Sequence, residues 1–412
     1  MASPLPTSTL RRALRQRLVA WYRVHRRDLP WRRTRDPYAI WVSEAMLQQT
    51  RVEAVEGYWV RFMRRFPDVQ ALAEAPEEDV LAAWSGLGYY RRARALHEAA
   101  KVIQRVHGGE FPRTRDALRA LPGVGPYTAG AILSIAFDVP EALVDGNVER
   151  VFARLFELPG ARASRELGDA CWRLAEALMP PSLGEGTLAA KSAAARAKQR
   201  AASPGAPATS GASSALAPPT PSEWNQGLME LGATLCTPKS PACGVCPLTQ
   251  LCAGRASGRA AELPPQKATP APVDVALEAY LAPAEVVAGA RTAYWLERRA
   301  AGGRMAGLWQ LPTVEVRPAE RAEVYLFPED LPEAPGFALE PERELFVLRH
   351  AITHHRIRVR VRAARVIGAP PATWRAFTQE EALAAPLSGM ARKALARLDS
   401  SRGALFVDGE TA

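Results

Sequence analysis

Four of the five cysteines crowd into residues 236–252, with the spacing C-x6-C-x2-C-x5-C. Thiolates so close together repel one another unless they share a metal centre, and their clustering excludes a dispersed disulfide framework. A tetrahedral zinc site and a cubane iron–sulfur cluster both use four thiolates, and the spacing alone leaves both open. The predicted metal ligands are Cys236, Cys243, Cys246 and Cys252.

Two carboxylates stand in surroundings where acid–base chemistry is possible. Glu44 follows Val42 and precedes Met46 in an apolar helical pattern. It is either a solvated residue on a polar face, the commoner case for glutamate, or a partly desolvated acid with a raised pKa. Asp145 precedes a helical pattern at Gly146–Phe156, where it can cap the helix; a carboxylate that accepts backbone N–H bonds there is expected to stay ionised.

A glycine turn at Gly123-Val124-Gly125 leads into a helical pattern that begins at Pro126. Glycine permits a positive φ, and proline suits the first helical position because its missing N–H would have no partner there. Such a turn can hold a phosphate through backbone amides alone. An ordinary connection between two helices explains the same residues equally well.

The composition indicates a polyanionic partner. The 412-residue chain carries a net charge of +10, and ten arginines with one acid, Asp28, lie between Arg11 and Arg35. A length of this order predicts two domains. No apolar run is long enough to span a membrane. The arginine-rich start continues into a patterned helix, so we expect an intracellular, cytoplasmic and nucleoid-associated protein without a targeting segment.

Hydrophobic periodicity predicts helices through most of the first half and strands in the second. Residues 201–222 contain only Ala, Ser, Pro, Gly and Thr apart from Leu216, a composition that predicts a flexible insertion. The predicted elements are helices at Thr9–Val24, Tyr38–Tyr58, Asp68–Val106 with a break at Gly86–Arg92, and Trp224–Leu235, and strands at Val273–Leu281 and Arg356–Arg362.

The ordered combination of these motifs resembles the MutY-type adenine DNA glycosylases, within the helix-hairpin-helix superfamily that includes endonuclease III. The resemblance runs through Leu29–Arg32, Glu44–Thr50, Gly86–Tyr90, Leu121–Ile132, Val144–Val151, Asn225–Gly232 and the four cysteines. It implies a mainly α fold, a six-helix barrel plus an iron–sulfur helical domain, followed by a smaller α+β Nudix-like domain. It also implies a [4Fe-4S] cluster rather than zinc.

The resemblance also implies where the domains begin and end. The helical glycosylase domain covers residues 1–182 and 223–258, with the barrel at about 30–145 and the iron–sulfur module built from the N-terminal helix and 146–258. A flexible insertion at 183–222, a connector at 259–272, a Nudix-like domain at 273–400 and a tail at 401–412 complete the chain.

The resemblance assigns roles to the carboxylates. Cleaving an N-glycosidic bond to a purine needs an acid that protonates the base and an anion that stabilises the oxocarbenium-like sugar. Glu44 matches the general acid, Asp145 the anion facing the sugar, and Asn147 a residue that orients them. Tyr127 stands where strand-cleaving relatives carry a Schiff-base lysine, which implies base removal without efficient strand cleavage.

Further positions match residues that contact the extruded adenine or the DNA. Where relatives often have Phe-Ser-His, this chain has Ile352-Thr353-His354, and it lacks the carboxylate-rich box with which Nudix hydrolases bind magnesium, so the second domain is expected to recognise rather than hydrolyse. The matching positions are Arg27, Trp31, Leu47 and Gln226 for the pocket, Arg32 for substrate or DNA, Gln49, Thr50 and Tyr89 for the duplex, Gly123 and Gly125 for phosphate, and Thr353 and His354 for the lesion.

The predicted function is therefore excision of adenine from double-stranded DNA that contains A:8-oxoguanine or A:G mispairs, by a monomer with no membrane partner. One alternative is a thymine-mismatch or other monofunctional glycosylase of the same superfamily, which would share the barrel without needing the second domain. The other is a non-catalytic lesion-binding protein, against which the intact Glu44 and Asp145 argue.

Overall fold

The computed structural model describes residues 5–182, 217–266, 271–284, 292–300, 305–316, 330–331, 336–352 and 354–401. None of the helices it describes is long and apolar enough to cross a membrane. The chain divides into two compact units. Unit 1 comprises Met1–Val60, Asp68–Gln70 and Glu98–Ala268, and unit 2 comprises Arg61–Pro67, Ala71–His97 and Thr269–Ala412.

This division differs from the predicted one, which assigned all of residues 1–182 to the helical domain. Two helical stretches, Arg61–Pro67 and Ala71–His97, belong to the same compact unit as the C-terminal residues. The reason is tertiary contact. The hydroxyl of Tyr90 donates a 3.0 Å hydrogen bond to the carbonyl of Leu387, and the indole N–H of Trp309 donates one of 3.1 Å to Glu78.

The first part of the chain is helical. Its helices are α1 (Ser8–His25), α2 (Pro37–Leu47), α3 (Val52–Arg65), α4 (Val69–Glu74), α5 (Glu77–Ala83), α6 (Arg91–His107), α7 (Arg115–Arg119), α8 (Pro126–Phe137), α9 (Gly146–Leu155), α10 (Arg165–Leu178), α11 (Pro221–Thr234) and α12 (Ala253–Ala256).

The single helix predicted at Tyr38–Tyr58 is wrong, because the chain forms α2 and α3 with a turn between them. Gln49 in that turn has φ of +59°, a left-handed conformation that interrupts a right-handed helix. Every residue of α2 from Tyr38 to Met46 is buried, so Glu44 has no polar face on which to be solvated. The break and the burial are both set by packing rather than by local pattern.

The core of unit 1 gathers apolar faces from α1, α2 and α8 to α11 around residues such as Leu18, Ile135, Phe152 and Trp224. Helix α11 begins at Pro221, capped by Thr220 in a reciprocal capping box with Glu223. The predicted insertion therefore ends too late: Ser222, assigned to it, is fully buried. The rest of that prediction, residues 183–216, lies outside the described residues, as does the predicted tail beyond residue 401.

The C-terminal part contains strands that form two sheets. Its elements are β1 (Val273–Leu281), β2 (Pro283–Ala284), β3 (Ala293–Arg298), β4 (Trp309–Gln310), β5 (Thr313–Val316), β6 (Ala338–Ile352), β7 (His355–Ile367), β8 (Trp374–Thr378), α13 (Gln379–Ala384) and α14 (Gly389–Ser401). The first sheet has the strand order β5-β1-β7-β6 and the second joins β2, β3, β4 and β8. The predicted strands are confirmed as β1 and β7, which pair in parallel, and β1 begins at Val273, the first residue of the predicted second domain.

Candidate active site

Unit 1 contains a cavity of about 560 Å³. That volume lies in the range of small-molecule sites and is large enough for a purine. The predicted site residues that line it are Arg27, Trp31, Arg32, Glu44, Leu47, Gln49, Thr50, Tyr127, Asp145, Asn147 and Gln226. The structure thus brings together side chains that are up to 199 positions apart in the numbering, from Arg27 to Gln226.

Glu44 enters the cavity from α2 and is only 5% exposed. The hydroxyl of Tyr127 donates a short hydrogen bond to its Oε2 atom and lies 3.5 Å from the sulfur of Met229. Burial and, to a smaller extent, the nearby charge of Asp145 raise the pKa of Glu44 to about 7, against the opposing effects of the Tyr127 hydrogen bond and the charge of Arg32. Of the two alternatives left open by the sequence, the desolvated acid is the one observed.

Asp145 caps α9, as its position before Gly146 predicts. Its Oδ1 atom accepts hydrogen bonds from the backbone N–H groups of Asn147 at 3.0 Å and Val148 at 2.7 Å, and its Oδ2 atom accepts one of 2.8 Å from the Asn147 side chain. Burial nevertheless raises the pKa of Asp145 above its ordinary value, because desolvation outweighs these hydrogen bonds. The effect that capping was expected to have on this carboxyl group is therefore outweighed by burial.

The two carboxyl groups of the cavity do not ionise independently. The charge of Asp145 is one of the causes that raise the pKa of Glu44 to about 7, so Glu44 can carry a proton near neutral pH. Glycosidic bond cleavage requires one carboxyl group that donates a proton and one that acts as an anion.

Glu230 on α11 is a site residue that the sequence reasoning missed. Arg27 donates to both of its carboxylate oxygens at 2.9 Å, and Arg32 donates to Oε2 at 2.8 Å. Burial would raise the pKa of Glu230, but the hydrogen bonds from Arg27 and Arg32 prevail and lower it to about 2. Its signal was present in the sequence, since a glutamate between Met229 and Leu231 on an apolar helix needs a partner.

The other wall residues are held by neighbours rather than left free. Gln226 accepts a 3.0 Å hydrogen bond from the hydroxyl of Tyr22 and donates one of 3.1 Å to Ser222. Trp31 packs edge-on against Trp59, with 6.1 Å between the ring centroids. The pocket is therefore built in advance of any ligand.

Arg150, which also lines the cavity, is a second residue that sequence reasoning missed. It donates a 2.9 Å hydrogen bond to the side-chain oxygen of Asn147 and one of 2.7 Å to the carbonyl of Cys236. One helical turn later, Arg154 donates to the Cys236 sulfur at 3.3 Å. Helix α9 thus begins after its N-cap Asp145, which lines the cavity, and it carries the two arginines that contact Cys236.

The four cysteines line a separate cavity together with Arg154 and Arg255. Four thiolates on one zinc would lie about 3.8 Å apart, given a Zn–S bond of about 2.3 Å. Within the part of the chain that the structure describes, no group of three or more Cys, His, Asp or Glu side chains could hold a metal ion. A cubane binds each of four thiolates at a different iron, and the four cysteines that line this cavity supply such a donor set.

The glycine turn uses the conformational freedom of glycine at one position. Gly123 has φ of +73°, whereas Gly125 is extended, with φ of −88° and ψ of 179°, and forms the N-cap of α8. Pro126 occupies the first turn of α8 as expected. Neither glycine lines the active-site cavity, so a phosphate contact there stays a prediction.

Two predicted lesion contacts, Tyr89 and His354, belong to unit 2. Tyr89 belongs to unit 2, is 44% exposed and has φ of +49°, following Gly88 at +71°. In the turn between β6 and β7, the His354 ring packs on His355 with 4.1 Å between centroids. Thr353, the remaining predicted contact, lies outside the described residues.

Known families match three stretches of the chain. The model of the HhH-GPD superfamily base excision DNA repair protein matches residues 42–177, the iron-sulfur binding domain of endonuclease III matches 236–252, and the NUDIX domain matches 285–397. The adenine DNA glycosylase of Rattus norvegicus is 32% identical over 408 residues, which cover 88% of this chain and 72% of the rat protein. The chain belongs to the adenine DNA glycosylase family.

Other similarities cover less. The adenine DNA glycosylase of Homo sapiens is 40% identical over 252 residues, which cover 59% of this chain and 39% of the human protein. The solved structure of a thermostable thymine-DNA glycosylase is 29% identical, covers 60% of this chain and 98% of its own, and superposes with a TM-score of 0.47.

Family membership makes this protein a DNA N-glycosylase with a helix-hairpin-helix domain and a Nudix-like domain. The matched iron–sulfur domain coincides with the four cysteines, so the resident cofactor is a [4Fe-4S] cluster. When bound, the cluster cross-links four points of the loop that follows α11.

Proposed function

We propose that this glycosylase removes adenine paired with 8-oxoguanine or guanine by hydrolysing the N-glycosidic bond, without cutting the strand. The observation that supports it is the position of Glu44, whose pKa burial raises to about 7, together with Asp145 in one cavity of purine size. Relatives named as adenine DNA glycosylases make adenine the expected leaving base.

The two carboxylates divide the work of bond cleavage. Glu44 donates its proton to a ring nitrogen of the extruded adenine, which makes the base a better leaving group. Asp145 faces the sugar, where its negative charge stabilises the oxocarbenium-like transition state. Asn147 holds the orientation of Asp145 through the 2.8 Å bond to Oδ2.

The cavity supports hydrolysis without strand cleavage. Strand cleavage by a Schiff base needs an amine nucleophile, and among the described residues that line the cavity there is no lysine. Tyr127 occupies the position of that amine, and burial raises its pKa well above the ordinary value, so it stays a neutral phenol.

A single-turnover assay of base release tests the substrate. Duplexes carrying adenine opposite 8-oxoguanine, guanine or thymine, and a duplex with thymine opposite guanine, are incubated with excess enzyme. We expect adenine to be released fastest opposite 8-oxoguanine or guanine. Faster release of thymine than of adenine would establish the alternative mismatch activity instead.

Borohydride trapping tests the absence of a Schiff base. The wild-type protein is expected to give almost no covalent complex with DNA, whereas a Tyr127→Lys variant supplies the amine and serves as the positive control. Abundant trapping of the wild type would contradict hydrolysis as the reaction.

A further inference from the structure

The solvent face of the first sheet, in strand order β5-β1-β7-β6, is strongly cationic. Along β7 the apolar side chains Ile357, Val359 and Val361 are buried in the core, and the arginines that alternate with them point to the opposite face. We call this set, completed by one residue of β6, the arginine face. Its members are Arg349, Arg356, Arg358, Arg360 and Arg362.

Carboxylates of β1 neutralise one side of the arginine face. Arg356 lies 3.1 Å from Asp274, and Arg360 and Arg362 lie 3.9 and 3.6 Å from Glu278. These pairs are partly exposed and hold the guanidinium groups in place more than they stabilise the fold.

The other side of the arginine face contains two arginines whose charges no carboxylate in the described part of the chain neutralises. Arg349 of β6 stands directly opposite Arg358 of β7, so the two side chains share the same face at neighbouring positions. Both are exposed, and among the described residues neither side chain has an ion-pair or hydrogen-bond partner. Like charges placed opposite each other on adjacent strands repel, and an anion bound between them would remove that repulsion.

The spacing of the arginine face fits a repeating anion rather than a single one. Alternate residues of a strand recur at about 6.6 Å, so Arg356 to Arg362 spans roughly 20 Å. One strand of duplex DNA presents a phosphate about every 3.4 Å along its axis, so a length of about 20 Å offers several phosphates to the four arginines of β7. Guanidinium forks bind phosphate oxygens in bidentate fashion.

We propose that the arginine face binds the phosphate backbone of the duplex on which the glycosylase acts, with Arg349 and Arg358 as its strongest phosphate ligands. This adds a backbone contact at some distance along β6 and β7 from the turn at His354. It rests on the proposed function only for the identity of the duplex, since phosphate contacts are independent of sequence and of the lesion.

The test is the salt dependence of binding to an undamaged duplex of about 30 base pairs, measured by fluorescence anisotropy. We expect R349Q/R358Q to bind at least about tenfold more weakly near 0.1 M salt, and the slope of log K against log salt to fall by about 1.8, or 0.9 for each lost contact. The R349K/R358K variant retains both charges and is expected to keep most of the slope.

The matched control is R165Q/R365Q, which removes the same net charge from two arginines already paired with Asp169 and Glu340. Its affinity and slope are expected to stay near those of the wild type. An equal loss in the control, or an unchanged slope in R349Q/R358Q, would overturn the proposal and leave the face as a solvated surface.

Adenine release at saturating enzyme separates this proposal from the proposed function. R349Q/R358Q is expected to retain the single-turnover rate, because neither arginine belongs to the unit that holds the active-site cavity. A protein without adenine glycosylase activity would still give the affinity and slope measurements, so the two proposals fail independently.

Discussion

Two buried glutamates line the same cavity and have opposite acid–base properties. Glu44 on α2 is 5% exposed and Glu230 on α11 is fully buried, yet the pKa of Glu44 is raised to about 7 whereas that of Glu230 is lowered to about 2. Burial by itself raises the pKa of both carboxyl groups. The difference lies in the partners, since Glu44 receives one phenol hydrogen bond and Glu230 is held by two guanidinium groups.

The comparison shows how one pocket keeps one carboxyl as a proton donor and the other as an anchor. A neutral partner compensates little of the desolvation of a carboxylate, whereas two cations overcompensate it. Glu230 therefore fixes Arg27 and Arg32 at the wall, and Glu44 is left able to carry a proton near neutral pH. The two glutamates are therefore expected to respond differently to substitution and to pH.

The largest expected effect comes from removing the proton of Glu44. A Glu44→Gln variant keeps the size of the side chain but cannot act as a general acid, so single-turnover adenine release should slow by at least about 10³-fold. DNA affinity should change little. The control is Glu166→Gln, an exposed glutamate in the first turn of α10, and adenine release by E44Q at near wild-type rate would exclude the assigned mechanism.

The next effect is on folding and concerns Glu230. A Glu230→Gln variant leaves Arg27 and Arg32 without their carboxylate inside the wall, and breaking a buried pair in this way costs on the order of 3 kcal/mol of unfolding free energy. Urea denaturation at pH 7 measures it. Asp28→Asn, which breaks the exposed pair with Arg33, should change the unfolding free energy far less, and equal losses in the two variants would contradict the anchoring role.

The pH dependence of stability should have opposite signs at the two sites. Because the folded pKa of Glu44 exceeds the value of 4.5 for a free glutamate, its contribution is present below pH 4.5 and is lost as pH rises toward 7. Between pH 5 and pH 8, the unfolding free energy of E44Q should therefore rise by about 2 kcal/mol relative to that of the wild type.

For Glu230 the folded pKa lies below 4.5, so its contribution is present above that pH and is lost as pH falls toward 2. The difference in unfolding free energy between E230Q and the wild type should therefore become smaller as the pH falls toward 2. Urea titrations of both variants across pH give the two curves, and parallel curves would show that the sites do not differ as described.

The smallest expected effect isolates the one hydrogen bond of Glu44. Donation from Tyr127 lowers the pKa of Glu44, so a Tyr127→Phe variant should raise it further. The alkaline limb of the pH–rate profile should then move upward by roughly half a unit to one unit. An unmoved or lowered limb would mean that the phenol is not the partner of the reacting carboxyl, and Tyr58→Phe on α3 is the matched control.

Short-range patterns determined several features before any fold was known. The spacing of the four cysteines indicated a metal centre, Pro126 marked the start of α8, and Asp145 marked the cap of α9. Alternation along residues 273–281 and 356–362 located β1 and β7. These succeed because caps, turns and pleats depend on residues only a few positions apart.

Only the tertiary structure decided the ionisation of the site and the limits of its elements. The acid Glu44 is buried because α2 is enclosed on all sides, and the anchor Glu230 meets Arg27 and Arg32 about 200 positions away. Likewise Gln49 breaks a helix that its own periodicity would continue. Desolvation and ion pairing depend on which distant surfaces meet, so the sequence determined which residues could do chemistry and the fold determined which of them carries the proton.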